Sequence, residues 1–344
     1  MNHSMNRKTT YDIGNRSGNK NDHIKKEKKI NDEFSSMISV KKCEALSLPG
    51  KNEKGKKKIN QDSYLIIKNL NRVSNFNLFG VLDGHGEDGH HVSQFVKSFV
   101  IQSIKNHPSI KPLKDPKEIY KKLIANNYEI ISNIFISADI QIQKEKFDFQ
   151  ESGTTIVLVI QIGEHIICAN AGDSRAIAIY DENFKDNKFY TSKIFPLSFD
   201  CKPELPNEKS RIYKCGGVVE KSYDTDEESD DEVHIPFRVF AKNKNYPGLA
   251  MSRCIGDIDA KQYGVIPNPQ IIEYVIGYNT KYILVCSDGI WEFLKNEDCM
   301  KIGNEFYIKN DPIGLCQELS KESIKLWEEK DNAIDDMTIV VVFY

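Results

Sequence analysis

The chain has 344 residues, 40 % of them apolar and 28 % charged, and 47 Lys+Arg against 50 Asp+Glu leave a net charge of −3. That length accommodates one large domain or two small ones with an ample core, and the near-neutral total argues against a dedicated nucleic-acid binder, whose basic excess survives into the sum. No run approaches the roughly 18 apolar residues of a membrane span and the N-terminus lacks an apolar signal core, so a soluble protein of the cytoplasm or nucleus is expected.

The charge is unevenly placed. Residues 1–58 hold 15 Lys/Arg and 7 Asp/Glu, which leaves the body of the chain at −11. Residues 1–38 are rich in Asn, Lys and Ser without apolar periodicity and read as a disordered basic tail, followed by one domain over 39–344. From Tyr64 onward, short runs rich in Ile, Val, Tyr and Phe predict strands: YLIIK, FNLFGVLD, TTIVLVIQI, HIICANAG, RAIAIY, KYILVCSDG and MTIVVVFY. Between them, Val92, Phe95, Val96, Phe99 and Val100 form one helical stripe. Leu123, Ile124, Asn127, Tyr128, Ile131 and Phe135 form a second, and a third helix follows the Asp311-Pro312 start. TTIVLVIQI, HIICANAG and RAIAIY follow one another across links too short for crossover helices, which predicts an antiparallel meander. The fold class is then α/β (α+β), with mainly antiparallel sheets covered by helices. Residues 200–246, with their prolines, Gly216-Gly217 and the acidic run Asp224–Glu232, read as a mobile excursion from that core. The eight cysteines lack any C-x-x-C pair and several sit in apolar runs, so they are expected to be buried, reduced thiols.

The chemistry lies in aspartates at strand ends. FGVLD ends in Asp83-Gly84-His85-Gly86, ILVCSDG ends in Asp288-Gly289, Asp335-Asp336 precedes TIVVV, and Asp62 precedes YLII. Each alone reads as a turn. Brought together, four carboxylates repel unless cations neutralise them, and all-oxygen donors suit Mg²⁺ or Mn²⁺; two such ions about 3.5–4 Å apart make a hydrolytic centre.

In order, the blocks KKKINQDSY, FGVLDGHGEDGHHVS, SGTTIVLVI, NAGDSRAIAI, LSFDCKPELPNEKSRI with GGVV, GLAMSRCIGDIDAK with GVIPNP, CSDGIWEFL and DDMTIVVV resemble the protein phosphatase 2C family, the metal-dependent serine/threonine phosphatases. The resemblance covers about residues 39–344. It implies a layered α-β-β-α sandwich of two antiparallel sheets, with a flap over residues 203–246. It further implies Mn²⁺ or Mg²⁺ as cofactor, phosphorylated proteins as substrates, and attack on phosphorus by a water or hydroxide bridging two ions. Residue by residue, Asp83 would bridge the ions, Gly84 would ligate one through its carbonyl, and Asp288 and Asp335 would bind the second. Asp62 would order water from behind, Asp173 and Glu292 would join Asp288 in a weaker third site, and His85 would be the general acid for the leaving hydroxyl.

Some positions depart from the family pattern. Lys57 stands where many relatives carry a phosphate-binding Arg; a lysine attracts a dianion without the bidentate fork, and a solvated lysine cluster is the alternative. Asp336 replaces the Asn of D-N-x-T, leaving two adjacent carboxylates of which order favours Asp335 as ligand. Gln61 replaces Glu, and Cys201 replaces His in D-H-K-P. Arg175 and Arg253 are expected to tie loops, Asp257 to stabilise a loop, and His90 and His91 to open a helix. Ser229 suits an acid-directed kinase, and the acidic run beside it suits basic phosphopeptides. A catalytically weak binding protein with the same fold is the alternative function; its mark would be missing ligands, and Asp83, Asp288 and Asp335 are present. A two-metal nuclease would need a basic groove that a body at −11 does not offer. A monomer is the default.

Overall fold

The computed structural model describes residues 38–344 apart from 184–189, 222–235 and 332. The predicted tail therefore lies outside the described residues except at Ile38, and so do the acidic run and Ser229.

In chain order the first elements are β1 (Lys42–Leu48), β2 (Ser63–Ile67), β3 (Phe76–Leu82) and the two-residue β4 (Gly84–His85). Helices α1 (Gly89–Asn106) and α2 (Pro116–Gln141) follow, then the short β5 (Gly153–Thr154), β6 (Ile156–Ile162), β7 (His165–Ala171), β8 (Arg175–Asn183) and β9 (Tyr190–Pro196). Next come α3 (Pro206–Lys214), β10 (Gly217–Lys221), β11 (Phe237–Ala241), β12 (Pro247–Leu249), β13 (Ile255–Gly256) and the one-turn α4 (Ile258–Lys261). The chain ends with β14 (Gln270–Val275), β15 (Thr280–Cys286), the short α5 (Asp288–Trp291), α6 (Asn296–Ile308), α7 (Pro312–Lys330) and β16 (Met337–Phe343).

Two five-stranded antiparallel sheets, β1-β16-β15-β8-β9 and β14-β7-β6-β3-β2, carry the architecture. Their strands are apolar on both faces because each sheet is covered twice. In β3, Phe76, Leu78 and Leu82 join Val92, Val96 and Phe135 of α1 and α2 in one core, whereas Phe79 and Val81 join Val340 and Val342 of the other sheet. β16 repeats the alternation: Ile339, Val341 and Phe343 pack with Leu315 and Leu319 of α7, while Val340 and Val342 face inward. Successive residues of a strand point to opposite faces, so period-2 alternation between two apolar cores writes the α-β-β-α layering directly. The two longest helices start as their sequences direct: Asp115 and Asp311 cap, followed by Pro116 and Pro312, their carboxylates accepting from Lys117 N and Gly314 N.

Two expectations are corrected. The meander stops at β7, which pairs with β6 and β14; β8 belongs to the facing sheet, between β15 and β9. The three-residue link Gly172-Asp173-Ser174 is short because it steps from one stacked sheet to the other, with Gly172 at φ 126°. The excursion also has order of its own. α3 and the sheet β10-β11-β12 enclose a small core of Ile212, Val219, Val239, Met251, Cys254, Ala260 and Val265. The α2 stripe is interrupted at Ala125–Tyr128, where Asn126 and Asn127 take left-handed backbone that Asn tolerates; Leu123, Ile131 and Phe135 still reach the core.

Candidate metal centre

The carboxylates meet where the central strands of the two sheets end. Asp83 follows β3, and its backbone is pinned on both sides: its N–H donates to Thr155 Oγ1 at 3.1 Å, and its carbonyl accepts from Thr155 N at 2.8 Å and Thr154 Oγ1 at 3.0 Å. The side chain is left free of that frame. Gly84 follows, packed so closely that a Cβ would overlap the Gly89 and Gln61 carbonyls. Asp288 opens α5 directly after β15, and Asp335 precedes β16, the strand beside β15.

Asp62 is held from behind. Ser287 Oγ donates to its Oδ2 at 2.8 Å, and the same hydroxyl accepts from Thr338 N at 2.9 Å, so one serine couples Asp62 to β16. Asp336 is engaged on both sides: its Oδ1 accepts from Gly50 N at 2.6 Å and its Oδ2 from Gln61 N at 2.8 Å. Both its oxygens are spent on tying loops. Asp335 keeps one oxygen clear of such bonds, its Oδ1 taking Asp336 N at 2.8 Å and Lys58 Nζ at 2.7 Å.

The electrostatics are those of a site short of positive charge. Removal from water raises the Asp83 carboxyl well above the usual range, and Asp288, Asp62 and Asp335 add to the rise. Asp288 is raised well above it too, by burial and then by Asp173 and Asp335. Burial lifts Asp62 to about 7 even though Ser287 and Thr338 oppose it. Asp62 Oδ1, Asp173 Oδ1 and Asp288 Oδ1 are buried without a hydrogen-bond partner among the described residues. A buried carboxylate oxygen left without a donor is costly, and hard divalent cations are the group that all-oxygen donors of this kind fit. The residues present therefore suit the ions that the sequence led us to expect.

His85, in β4, sits beside this cluster. Its Nε2 lies 2.7 Å from Asp257 Oδ2. Burial works to lower the imidazole pKa, but the charge and hydrogen bond of Asp257 outweigh it and the net direction is upward. Asp257 is thus the partner of His85 rather than only a loop residue, which the S-R-C-I-G-D block did not reveal because the pair are 172 positions apart. Gly153 makes the approach possible: a Cβ there would overlap Asp257 and His85 Nε2.

The remaining expected residues are placed as follows. Asp173, on the link between sheets, receives Lys202 Nζ on Oδ2 at 2.6 Å, a cation that sequence reasoning missed. Glu292 lines a groove with Arg175, Trp291, Asn296 and Lys330; its N–H closes the α5 turn on the Asp288 carbonyl at 2.8 Å, and among the described residues no side-chain hydrogen bond joins its carboxylate to Asp173 or Asp288. Lys57 is exposed and forms a backbone bridge to Lys51; the lysine that reaches the carboxylates is its neighbour Lys58. Arg175 grips both oxygens of Asp200 at 2.9 and 2.7 Å, and Arg253 both oxygens of Glu208 at 3.0 and 2.6 Å. Gln61 donates to Gly86 O at 2.7 Å and so steadies the loop after Asp83. His90 and His91 form the first turn of α1.

A family model described as protein phosphatase 2C matches residues 47–331. Among curated proteins, the chain is 33 % identical over 298 residues to "Probable protein phosphatase 2C 35" of Arabidopsis thaliana, covering 83 % of this chain and 78 % of that protein. It is 29 % identical to "Probable protein phosphatase 2C 73" from the same plant, over 85 % of this chain and 77 % of the relative. Among solved structures, serine-threonine phosphatase 2C from Toxoplasma gondii superposes with a TM-score of 0.69 at 19 % identity, over 88 % of this chain and 94 % of that one. A C. elegans sex determining protein superposes at 0.63 and 16 %, over 97 % and 76 %. At those identities the two structures speak for the fold alone.

Proposed function

The chain belongs to the protein phosphatase 2C family, the serine/threonine protein phosphatases, and we propose that it hydrolyses phosphoserine and phosphothreonine in proteins with two Mn²⁺ or Mg²⁺ ions. The observation that carries this reading is the set of buried, donor-less oxygens on Asp62, Asp173 and Asp288 around Asp83. Bound there, divalent ions supply charge neutralisation for the phosphoryl oxygens and acidify water to a nucleophile near neutral pH.

The protein's own contribution is positioning. Asp83 and Gly84, on the rigid corner fixed by Thr154 and Thr155, would hold both ions, and Asp288 and Asp335 the second. Asp62, braced by Ser287, would orient attacking water from behind. Asp173, shared with Lys202, would offer a weaker third position with Asp288, one turn of α5 from Glu292. His85 would give a proton to the departing seryl or threonyl oxygen, with Asp257 fixing the imidazole and favouring its charged form. Lys58, on Asp335, and its exposed neighbour Lys57 would supply positive charge to an arriving phosphate dianion.

The test is phosphate release from a phosphothreonine peptide with Mn²⁺, with Mg²⁺ and with EDTA, for the wild type and Asp83→Ala. Metal-dependent turnover that vanishes in the variant is expected. A folded wild type that releases no phosphate across a broad range of metals would overturn the reading and favour a binding protein.

A further inference from the structure

Behind His85 lies a donor set of a different character. His85 Nε2 is 2.7 Å from Asp257 Oδ2, Cys254 Sγ is 3.0 Å from that same oxygen, and the three ligand atoms lie within 4.8 Å of one another. Imidazole, thiolate and carboxylate together form a borderline-soft set, whereas the oxygens of Asp83, Asp288 and Asp335 are uniformly hard.

The geometry is prearranged. Asp257 N donates to Ser152 O at 3.0 Å and Gly256 N to Asp139 Oδ1 at 2.9 Å, so the backbone that presents Cys254 and Asp257 is anchored on both sides. Tetrahedral ligands with bonds of about 2.0–2.3 Å stand roughly 3.3–3.7 Å apart. The His85–Asp257 and Cys254–Asp257 spacings therefore need to widen by only about half an ångström, and the His85–Cys254 spacing is within 4.8 Å. Lys261 Nζ lies 3.6 Å from Cys254 Sγ and 3.2 Å from Asp139 Oδ1, an ammonium that offsets part of what burial and Asp257 do to hold the thiol well above its ordinary pKa, so the cation itself must displace the thiol proton. Cys254 and Asp257 are buried, while the His85 side chain keeps 24 % of its surface, which leaves a route in from solvent.

We propose that His85, Cys254 and Asp257 form an inhibitory site for a single thiophilic divalent cation such as Zn²⁺ or Cd²⁺. Binding exchanges the cation for the thiol proton and the proton held between His85 and Asp257, both released to water. It takes the imidazole out of use while leaving the hard-metal ligands untouched. The inhibitory consequence rests on His85 as the acid of the proposed phosphatase reaction; the binding itself does not.

The experiment uses the full-length protein carrying Cys215→Ala, because Cys215 is exposed, and titrates Cd²⁺ in saturating Mg²⁺. Thiolate-to-cadmium absorption and phosphopeptide hydrolysis are followed together. One absorption step near one equivalent is expected, with parallel loss of rate that added Mg²⁺ does not restore. Cys254→Ala, and the near-isosteric Cys254→Ser that keeps a donor to Asp257, should lose the step and need about tenfold or more Cd²⁺ for half-inhibition relative to each variant's own rate. An unchanged absorption step in both variants would overturn the site, as would inhibition relieved in proportion to Mg²⁺. If the protein releases no phosphate at all, the absorption step still decides binding, and the inactivity counts against the phosphatase reading alone.

Discussion

Two buried acidic centres of this molecule were given opposite surroundings. Glu208 is almost fully buried, yet its carboxylate accepts from Arg211 Nη2 and Ser252 Oγ at 2.6 Å, and from Arg253 at 2.6 and 3.0 Å. Burial alone would raise its pKa, but those donors, Arg253 foremost, bring it down to about 2. Asp83, Asp288 and Asp62 meet one another instead of arginines, and all three are driven upward. A carboxylate that the chain surrounds with donors holds the fold together. A group of carboxylates from which the chain withholds donors is built for a cation that the chain does not supply.

The sharpest way to break this contrast is to neutralise one acid of each kind. Asp83→Asn should cost about a thousandfold or more in turnover, some 4 kcal/mol of transition-state stabilisation, while leaving the metal-free protein as stable as the wild type or more so. Glu208→Gln should do the reverse. With two arginines left uncompensated it should lose about 3–5 kcal/mol of stability in denaturant titrations, and the folded fraction should retain its metal dependence. A Glu208→Gln protein that is stable but inactive would erase the distinction.

His85 and Asp257 fall between the two classes, a half-buried imidazole on a buried carboxylate for which a catalytic use is proposed. Asp257→Asn should depress turnover of alkyl phosphates about a hundredfold, within the usual range for a general acid, and spare aryl phosphates whose leaving groups need no proton. Gly153→Ala should imitate it by displacing the pair, since its Cβ would overlap both side chains. Equal losses on the two substrate types would show that the pair is structural.

Proton linkage gives a smaller but direct comparison. A raised carboxyl binds protons more tightly folded than unfolded, so its folded state is favoured below the unfolded pKa and loses ground as pH climbs through the folded value, about 7 for Asp62. The metal-free protein should therefore lose stability between about pH 4 and 7, whereas the contribution of Glu208 is full above its ordinary carboxyl pKa of 4.5 and is lost as pH falls from there toward about 2. Added Mn²⁺ should reverse the loss. At a hundredfold excess over Kd it contributes about 2.7 kcal/mol, and the rise in Tm should be larger at pH 7.5 than at pH 5.5, where cations compete with protons.

The sequence carried this contrast unequally. Strand-end aspartates and the period-2 apolar runs announced the cluster of carboxylates and the strands of both sheets, because each signal is local to five or ten residues. The partners were not local. Asp257 meets His85 across 172 positions, Lys202 meets Asp173 across 29, and β8 leaves β7 for the other sheet at a link that reads as an ordinary turn. Short links exclude crossover helices, but they do not say whether the next strand continues its sheet or faces it. Two adjacent acids likewise look alike until Gly50 and Gln61 are seen to consume both oxygens of Asp336.

The two adjacent lysines give the smallest and most discriminating comparison. Lys58 Nζ rests on Asp335 at 2.7 Å with 37 % of its side chain exposed, so it occupies an oxygen that a cation would claim. Exposed ion pairs are worth roughly 0.2–1 kcal/mol, so Lys58→Met should lower the Mn²⁺ concentration for half-maximal activity by no more than about fivefold. Lys57 touches none of the carboxylates and can act only through its charge on an arriving phosphate. Lys57→Met should leave the metal requirement alone and raise KM for a phosphopeptide about twofold, an effect that salt should remove from the wild type as well. If instead Lys58→Met raises KM and leaves the metal requirement unchanged, Lys58 is the phosphate ligand, and the ammonium seen on Asp335 marks where the substrate phosphate draws it away.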